Sequence, residues 1–316
     1  MRGLKTLFQF FGTPFGEWHR GRSIRSWIHE AKRRLDKSDG LGWRKQGLMF
    51  LIAAIAIISR RPDVLSNPQF YAEGGTWYAQ AYNLGWLHTV ALPEGGYLQG
   101  FPRLVAGLCL LIPLQFAPLL MNIFGIGIQA LPITLLLSAR CSGWGSLTVR
   151  LCLAGVYLAL PNSAEIDVVL TNAQWHLALA ACLLAFARPP PPGNWPWKVF
   201  DVTLMALSGL TGPFSIILAP LVGIFWWARR QPWSGIMFGT LATAASLQCV
   251  ALLRTGLQWR MQRLHGQILG ATPLLFAKIL SGNIYVGALF GRNRFAQHVD
   301  IPAISIVALL GTSVLI

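Results

Sequence analysis

The sequence predicts an all-α fold, a polytopic integral membrane helical bundle of about eight to ten transmembrane helices. Three observations carry that expectation. Of 316 residues, 54% are hydrophobic and only 12% charged, with a mean hydropathy of +0.51, outside the range of soluble domains. Apolar runs recur along the chain at or near the length that crosses ~30 Å of hydrocarbon. The excess of 26 Lys+Arg over 11 Asp+Glu is gathered in the first segment and in particular loops, as membrane topology gathers it.

Residues 1–45 hold eleven Lys/Arg and four acids and have no apolar run close to Met1. They read as a basic cytoplasmic tail, with an amphipathic stretch from Ile24 to Leu35 suited to anionic lipid, and not as a cleaved signal peptide. Residues 46–316 read as a multi-spanning domain. Candidate crossings fall at 46–60, 98–114, 117–139, 147–161, 168–187, 199–211, 213–228, 233–253, 270–290 and 301–316. The chain stops inside the last of these runs, at Ser313-Val314-Leu315-Ile316, which reads as a truncated form.

Loop charges set the sidedness. Arg188, the following Pro189-Pro190-Pro191-Pro192 and Lys198 belong in the cytoplasm, as do Arg229 and Arg230. The outer face then receives the first loop, 61–102, together with Pro161 to His176 and Gly209-Leu210-Thr211-Gly212-Pro213. This assignment needs an odd number of crossings between Arg103 and Arg140, whereas that stretch divides most simply into two helices. The charges are the stronger guide, so either one of the two is re-entrant or the break between them lies within the membrane.

Nucleic acid is excluded as a partner, because no aromatic-basic platform accompanies the charge. Cys109, Cys141, Cys152, Cys182 and Cys249 lack ligand or bridge spacing and read as small hydrophobes. Acids are scarce, so their positions are informative. Glu73, Glu94, Glu165 and Asp167 share the outer face, with Arg103, His88, His176, Asn172 and Gln174 beside them and Arg254, Arg260 and Arg263 in a later outer loop.

A carboxylate at the mouth of a bundle can deprotonate a hydroxyl or hold a divalent cation, and arginines opposite it can bind phosphate. That set suits sugar transfer from a lipid phosphate, in which Glu73 is the base. Arg103 and Arg260 then hold phosphate, while Glu165, Asn172, Gln174 and His176 line the substrate site. Plainer readings stand beside these: Glu73 as a helix start, Asn162 and Ser163 as a cap, His176 as an interfacial hydrogen-bonding residue, and the basic loop as a lipid contact. The residues name no cofactor beyond room for a divalent cation, and they leave the metal unknown.

The motifs Asn67-Pro68-Gln69-Phe70-Tyr71-Ala72-Glu73-Gly74-Gly75, Leu160-Pro161-Asn162-Ser163-Ala164-Glu165, Thr171-Asn172-Ala173-Gln174-Trp175-His176 and Ser208-Gly209-Leu210-Thr211-Gly212-Pro213-Phe214 resemble those of a group of bacterial integral membrane proteins of unassigned activity. Gly96-Tyr97 and Pro102-Arg103-Leu104 extend the likeness, which covers Arg60 to Arg230. That group is distantly similar to the GT-C glycosyltransferases, which use polyprenyl-phosphate-linked sugars on the outer face. The resemblance implies a multi-pass protein of the bacterial inner membrane with a cytoplasmic N-terminus, and Glu73 as the catalytic or metal-binding acid. Where the pattern has an aspartate after that glutamate, this chain has Gly74. Two further classes stay open: a transporter or flippase of a lipid-linked substrate, and a non-catalytic membrane protein.

Overall fold

The computed structural model describes residues 40–160 and 167–256. Glu165, Arg260, the tail before Gly40 and the expected crossings at 270–290 and 301–316 lie outside the described residues. The described residues are mostly helical, and the extended pairing among them is one hairpin of two-residue strands and two isolated bridges.

Seven longer helices make the bundle: α1 (Trp43–Arg60), α6 (Ala117–Leu137), α7 (Leu147–Ala159), α8 (Ala173–Phe186), α9 (Trp195–Gly209), α10 (Phe214–Arg229) and α11 (Pro232–Ala251). Shorter pieces lie between α1 and α6: α2 (Asp63–Ser66), α3 (Gly74–Leu84), α4 (Trp86–Val90), strands β1 (Pro93–Glu94) and β2 (Tyr97–Leu98), and α5 (Gly100–Leu108). Two helical segments, Leu114–Leu137 and Pro232–Thr255, are long and apolar enough to cross a membrane. At 1.5 Å per residue the 13 residues of α7 reach only about 20 Å.

Local chemistry sets several boundaries. Pro118, Pro196 and Pro232 sit in first turns, where a missing N–H costs nothing. Ser146 Oγ accepts from Val149 N, and Asn194 Oδ1 accepts from Trp197 N, capping α7 and α9. The C-terminus of α6 is closed by a buried cation, because Arg150 donates to the carbonyls of Leu136 (3.0 Å), Ser138 (2.6 Å) and Gly145 (3.1 Å). The carbonyls of Leu136 and Ser138 are ones that a helix end leaves without intrahelical partners, and Gly145 precedes the cap of α7.

The helices alternate in direction. At one end Leu41 N donates to Leu137 O, Arg188 N to Arg140 O, and Arg140 forms a two-pronged pair with buried Asp201 at 2.6 Å. We term this the basic end. At the far end Arg60 donates to the carbonyls of Leu158 and Leu160, and Gln248 bonds Leu98, Gly209 and Gly212. The cations of 188–198 and Arg230 therefore lie opposite loops 61–102 and 209–213, as the charge pattern requires.

The expected crossing at 98–114 is corrected. Only nine residues form α5, and both of its ends return to the far end of the bundle. Phe101 stacks edge-on with Phe124, two turns inside α6, whereas Cys109 Sγ lies 3.6 Å from the carbonyl of Ala117 at the start of α6. The segment thus enters and climbs back out. Its entry is pinned by backbone bonds between Gly100 N and Leu210 O (2.8 Å) and between Gly212 N and Leu98 O (2.9 Å). Between Arg103 and Arg140 one helix, α6, runs from the far end of the bundle to the basic end.

Candidate functional site

The far end holds three groups of polar residues. The first is Glu73, at the start of α3. Its backbone carbonyl accepts from Trp77 N, its side chain makes no capping bond, and the residue is exposed. Gly74 and Gly75 lie against Phe70, and Gly74 also against Met121, with room for a Cβ at either glycine. Ala72, just before Glu73, has φ +46.

A second group lies deeper. Asp167 is 5% exposed and accepts from Gln129 Nε2 at 2.6 Å, while its second oxygen is 3.4 Å from Arg60 Nε. Gln129 Oε1 in turn accepts from Val168 N at 2.9 Å. Tyr157 Oη is 3.0 Å from Gln129 O and 2.7 Å from His176 Nδ1. A hydroxyl that donates to that carbonyl must accept from the ring, so this geometry fits a proton on Nδ1. Gln129 stands near the middle of α6, so the segment 167–168 descends well into the bundle. Gly125 makes the room, since a Cβ there would meet Val168 O at 2.1 Å.

Val168 has φ +68, a conformation unfavourable for a β-branched residue. Among the described residues only Ala72, Val168 and Arg230 combine a side chain with positive φ. Two of the three adjoin an acid of the site, and backbone strain persists where surrounding structure enforces it, often at functional positions.

The two groups approach one another along α6. Met121 touches the Gly74 turn, Gly125 faces Val168 and Gln129 holds Asp167, which are successive positions on one helical face. Arg61 lies between the groups. The hydrogen bonds it donates to Asp63 raise its pKa above the ordinary arginine value, burial opposes this, and the charges of Asp63, Asp167 and Tyr71 add to the rise. The same bond holds the Asp63 carboxyl below its usual range.

The third group changes the reading of Arg103. This residue is 1% exposed, with NH2 3.0 Å from Glu94 and NH1 2.7 Å from Gln80 Oε1. It ties α5 to α3 and to the hairpin, so the arginine expected to hold phosphate is engaged by Glu94 and Gln80 in this structure. Arg60 and Arg61 are the far-end arginines beside the acids.

The expected lining of Asn172, Gln174 and His176 also divides. Gln174 and His176 are two residues apart on α8 and so face different sides. Gln174 packs on the turn between α9 and α10, where Gly212 has φ +80 and a Cβ would approach Gln174 Oε1 to 2.3 Å. His176 points to Tyr157. Asn172 ends the short turn Leu170–Asn172 that leads into α8. Arg60, Gln129 and Tyr157 escaped the sequence reading. Gln129 and Tyr157 were detectable as polar groups interrupting apolar runs, which is costly in hydrocarbon unless satisfied.

No group of three or more His, Cys, Asp or Glu positioned to hold a metal occurs among the described residues. With Gly74 after Glu73, the turn offers one carboxylate where the resemblance implies two. Comparison with family models, curated proteins and solved structures finds no match.

Proposed function

We propose that the chain is a polytopic protein of the bacterial inner membrane that transfers a sugar from a polyprenyl phosphate to an envelope lipid or polysaccharide, with Glu73 as the base. One observation carries this reading. Of the described acids, Asp63, Glu94, Asp167 and Asp201 are each in an ion pair, whereas Glu73 has none and is exposed. An exposed carboxylate beside aromatics, on short helices laid across a bundle end, is placed to accept a proton.

The membrane part of the reading is supported by outward apolar stripes: Val149, Leu153 and Val156 on α7, and Ile217, Leu221 and Ile224 on α10. Stripes of this size would associate in water. The basic end faces the cytoplasm under the positive-inside rule, which puts the N-terminus there and Glu73 outside.

In the reaction, the Glu73 carboxylate takes the acceptor hydroxyl proton as that oxygen bonds to the anomeric carbon. The bond from that carbon to the phosphate oxygen breaks, and its electron pair leaves on the phosphate. Arg61, now paired with exposed Asp63, can exchange that carboxylate for the phosphate, with Arg60 behind it. No metal step is needed in this scheme.

Glu73→Gln tests it: purified protein in liposomes, supplied with a panel of radiolabelled polyprenyl-phosphate sugars and an extract of envelope lipids, should lose transfer while folding and insertion persist. Transfer that survives the substitution removes Glu73 from the mechanism.

A transporter of a similar lipid-linked substrate is the second reading, favoured by buried Asp167, Gln129 and His176 and half-buried Tyr157 at mid-helix depth, since ionisable groups there mark pathways. Movement of labelled donor across sealed vesicles with no new glycosidic product would select it.

A further inference from the structure

A groove of about 320 Å³ opens at the basic end, away from the site above, lined by Gln46 on α1, Leu131, Thr134 and Leu135 on α6, Asn194 at the cap of α9, and Pro196, Trp197 and Phe200 on α9. Its walls are aliphatic and aromatic, and its volume is at the lower bound of small-molecule sites. Each of the three polar lining residues already makes a bond within the chain: Gln46 Nε2 donates to Leu41 O at 2.8 Å, Thr134 Oγ1 to Leu131 O at 2.8 Å, and Asn194 Oδ1 accepts from Trp197 N at 3.3 Å. A polar ligand would find few partners, whereas a hydrocarbon chain loses nothing on entry.

The surroundings select a charge for whatever carries that chain. Arg44, Lys45, Arg140, Arg150, Arg188, Lys198 and Arg230 lie at this end, and Asp201 is the only acid with them among the described residues. That acid is consumed by Arg140 and by Trp233 Nε1 at 3.2 Å. Arg140 also lies 5.2 Å over the Trp197 ring that lines the groove, and Lys198 is 5.9 Å from the centre of the Trp233 ring. Arg44 and Lys45 are exposed on the turn of α1 that supplies Gln46.

We infer that this groove binds one acyl chain of an anionic phospholipid whose headgroup sits among the cations of the basic end. The inference rests on the membrane reading but not on sugar transfer. A cation near an anionic headgroup contributes about 1 kcal/mol, so the groove should prefer an anionic over a zwitterionic lipid by about fivefold.

The test uses the full chain in nanodiscs of phosphatidylcholine containing phosphatidylglycerol, with acyl chains brominated on one lipid at a time. Bromine quenches nearby tryptophan, and the contribution of Trp197 is the difference between the protein and Trp197→Phe. Brominated phosphatidylglycerol should quench that component several-fold more than brominated phosphatidylcholine at equal mole fraction. Thr134→Phe, which fills the groove, should abolish the difference. Equal quenching by both lipids, no Trp197 component, or a preference that survives Thr134→Phe overturns the inference. Failure to enter nanodiscs at all would instead refute the membrane reading.

Discussion

Replacing Asp167 by alanine probes the buried cluster most directly. The substitution removes the acceptor of Gln129 Nε2, in a side chain 5% exposed, and the counter-charge of Arg60. An unsatisfied buried amide costs about 1–3 kcal/mol. Breaking a fully buried ion pair costs about 3–5 kcal/mol, but Arg60 is 26% exposed and keeps its bonds to two carbonyls, so only a fraction applies. Together these give a loss of about 2–4 kcal/mol. Asp167→Asn keeps the shape and an acceptor for Gln129 while removing the charge, so it should cost about 1 kcal/mol. Reversible unfolding of the full chain in mixed micelles, with both variants in parallel, measures the two values. If alanine and asparagine each cost under about 0.5 kcal/mol, the cluster is not a tightened buried network, and the placement of segment 167–168 inside the bundle is wrong.

Arg150→Met leaves Leu136 O without its donor and removes the side-chain bonds to Ser138 O and Gly145 O, and should destabilise by about 1–3 kcal/mol, read by the same unfolding assay. Gly107→Ala would put a Cβ 1.7 Å from the Trp86 ring, so α4 must move off α5. A cost of about 1–3 kcal/mol and a red shift of the Trp86 emission are expected, and an unchanged spectrum refutes the packing. Gln248→Leu removes a four-bond clamp on Leu98, Gly209 and Gly212, and amide exchange at Leu98 and Gly212 should rise sharply while the core of α6 stays protected.

Much of the bundle was legible because its signals are local. Apolar runs of near-spanning length marked α1 and α6 to α11 within a few residues, and the arginines of 140–198 and Arg230 fell at one end as loop charge predicts. The interval 98–114 misled because Phe101, Val105, Ala106 and Cys109 are apolar for burial inside the protein. Composition cannot distinguish that burial from exposure to lipid.

Glu73 was legible as an isolated acid in an aromatic loop, since a charge without an adjacent counter-charge is visible in one dimension. The fate of Arg103 was not. Its partners Gln80 and Glu94 are 23 and 9 residues away, and nothing in the sequence distinguishes a paired arginine from an available one.

The sequence by itself determined the helical class, the direction of the charge asymmetry and the position of the carboxylate that has no ion-pair partner among the described residues, Glu73. All of these follow from residue type and spacing along one segment. Only the tertiary structure decided that α5 turns back, that Asp167 is gripped by Gln129 and Arg60, and that Gln174 and His176 serve different neighbours. Each depends on contacts between segments far apart in the chain, where a glycine such as Gly125 admits a backbone that any side chain would exclude.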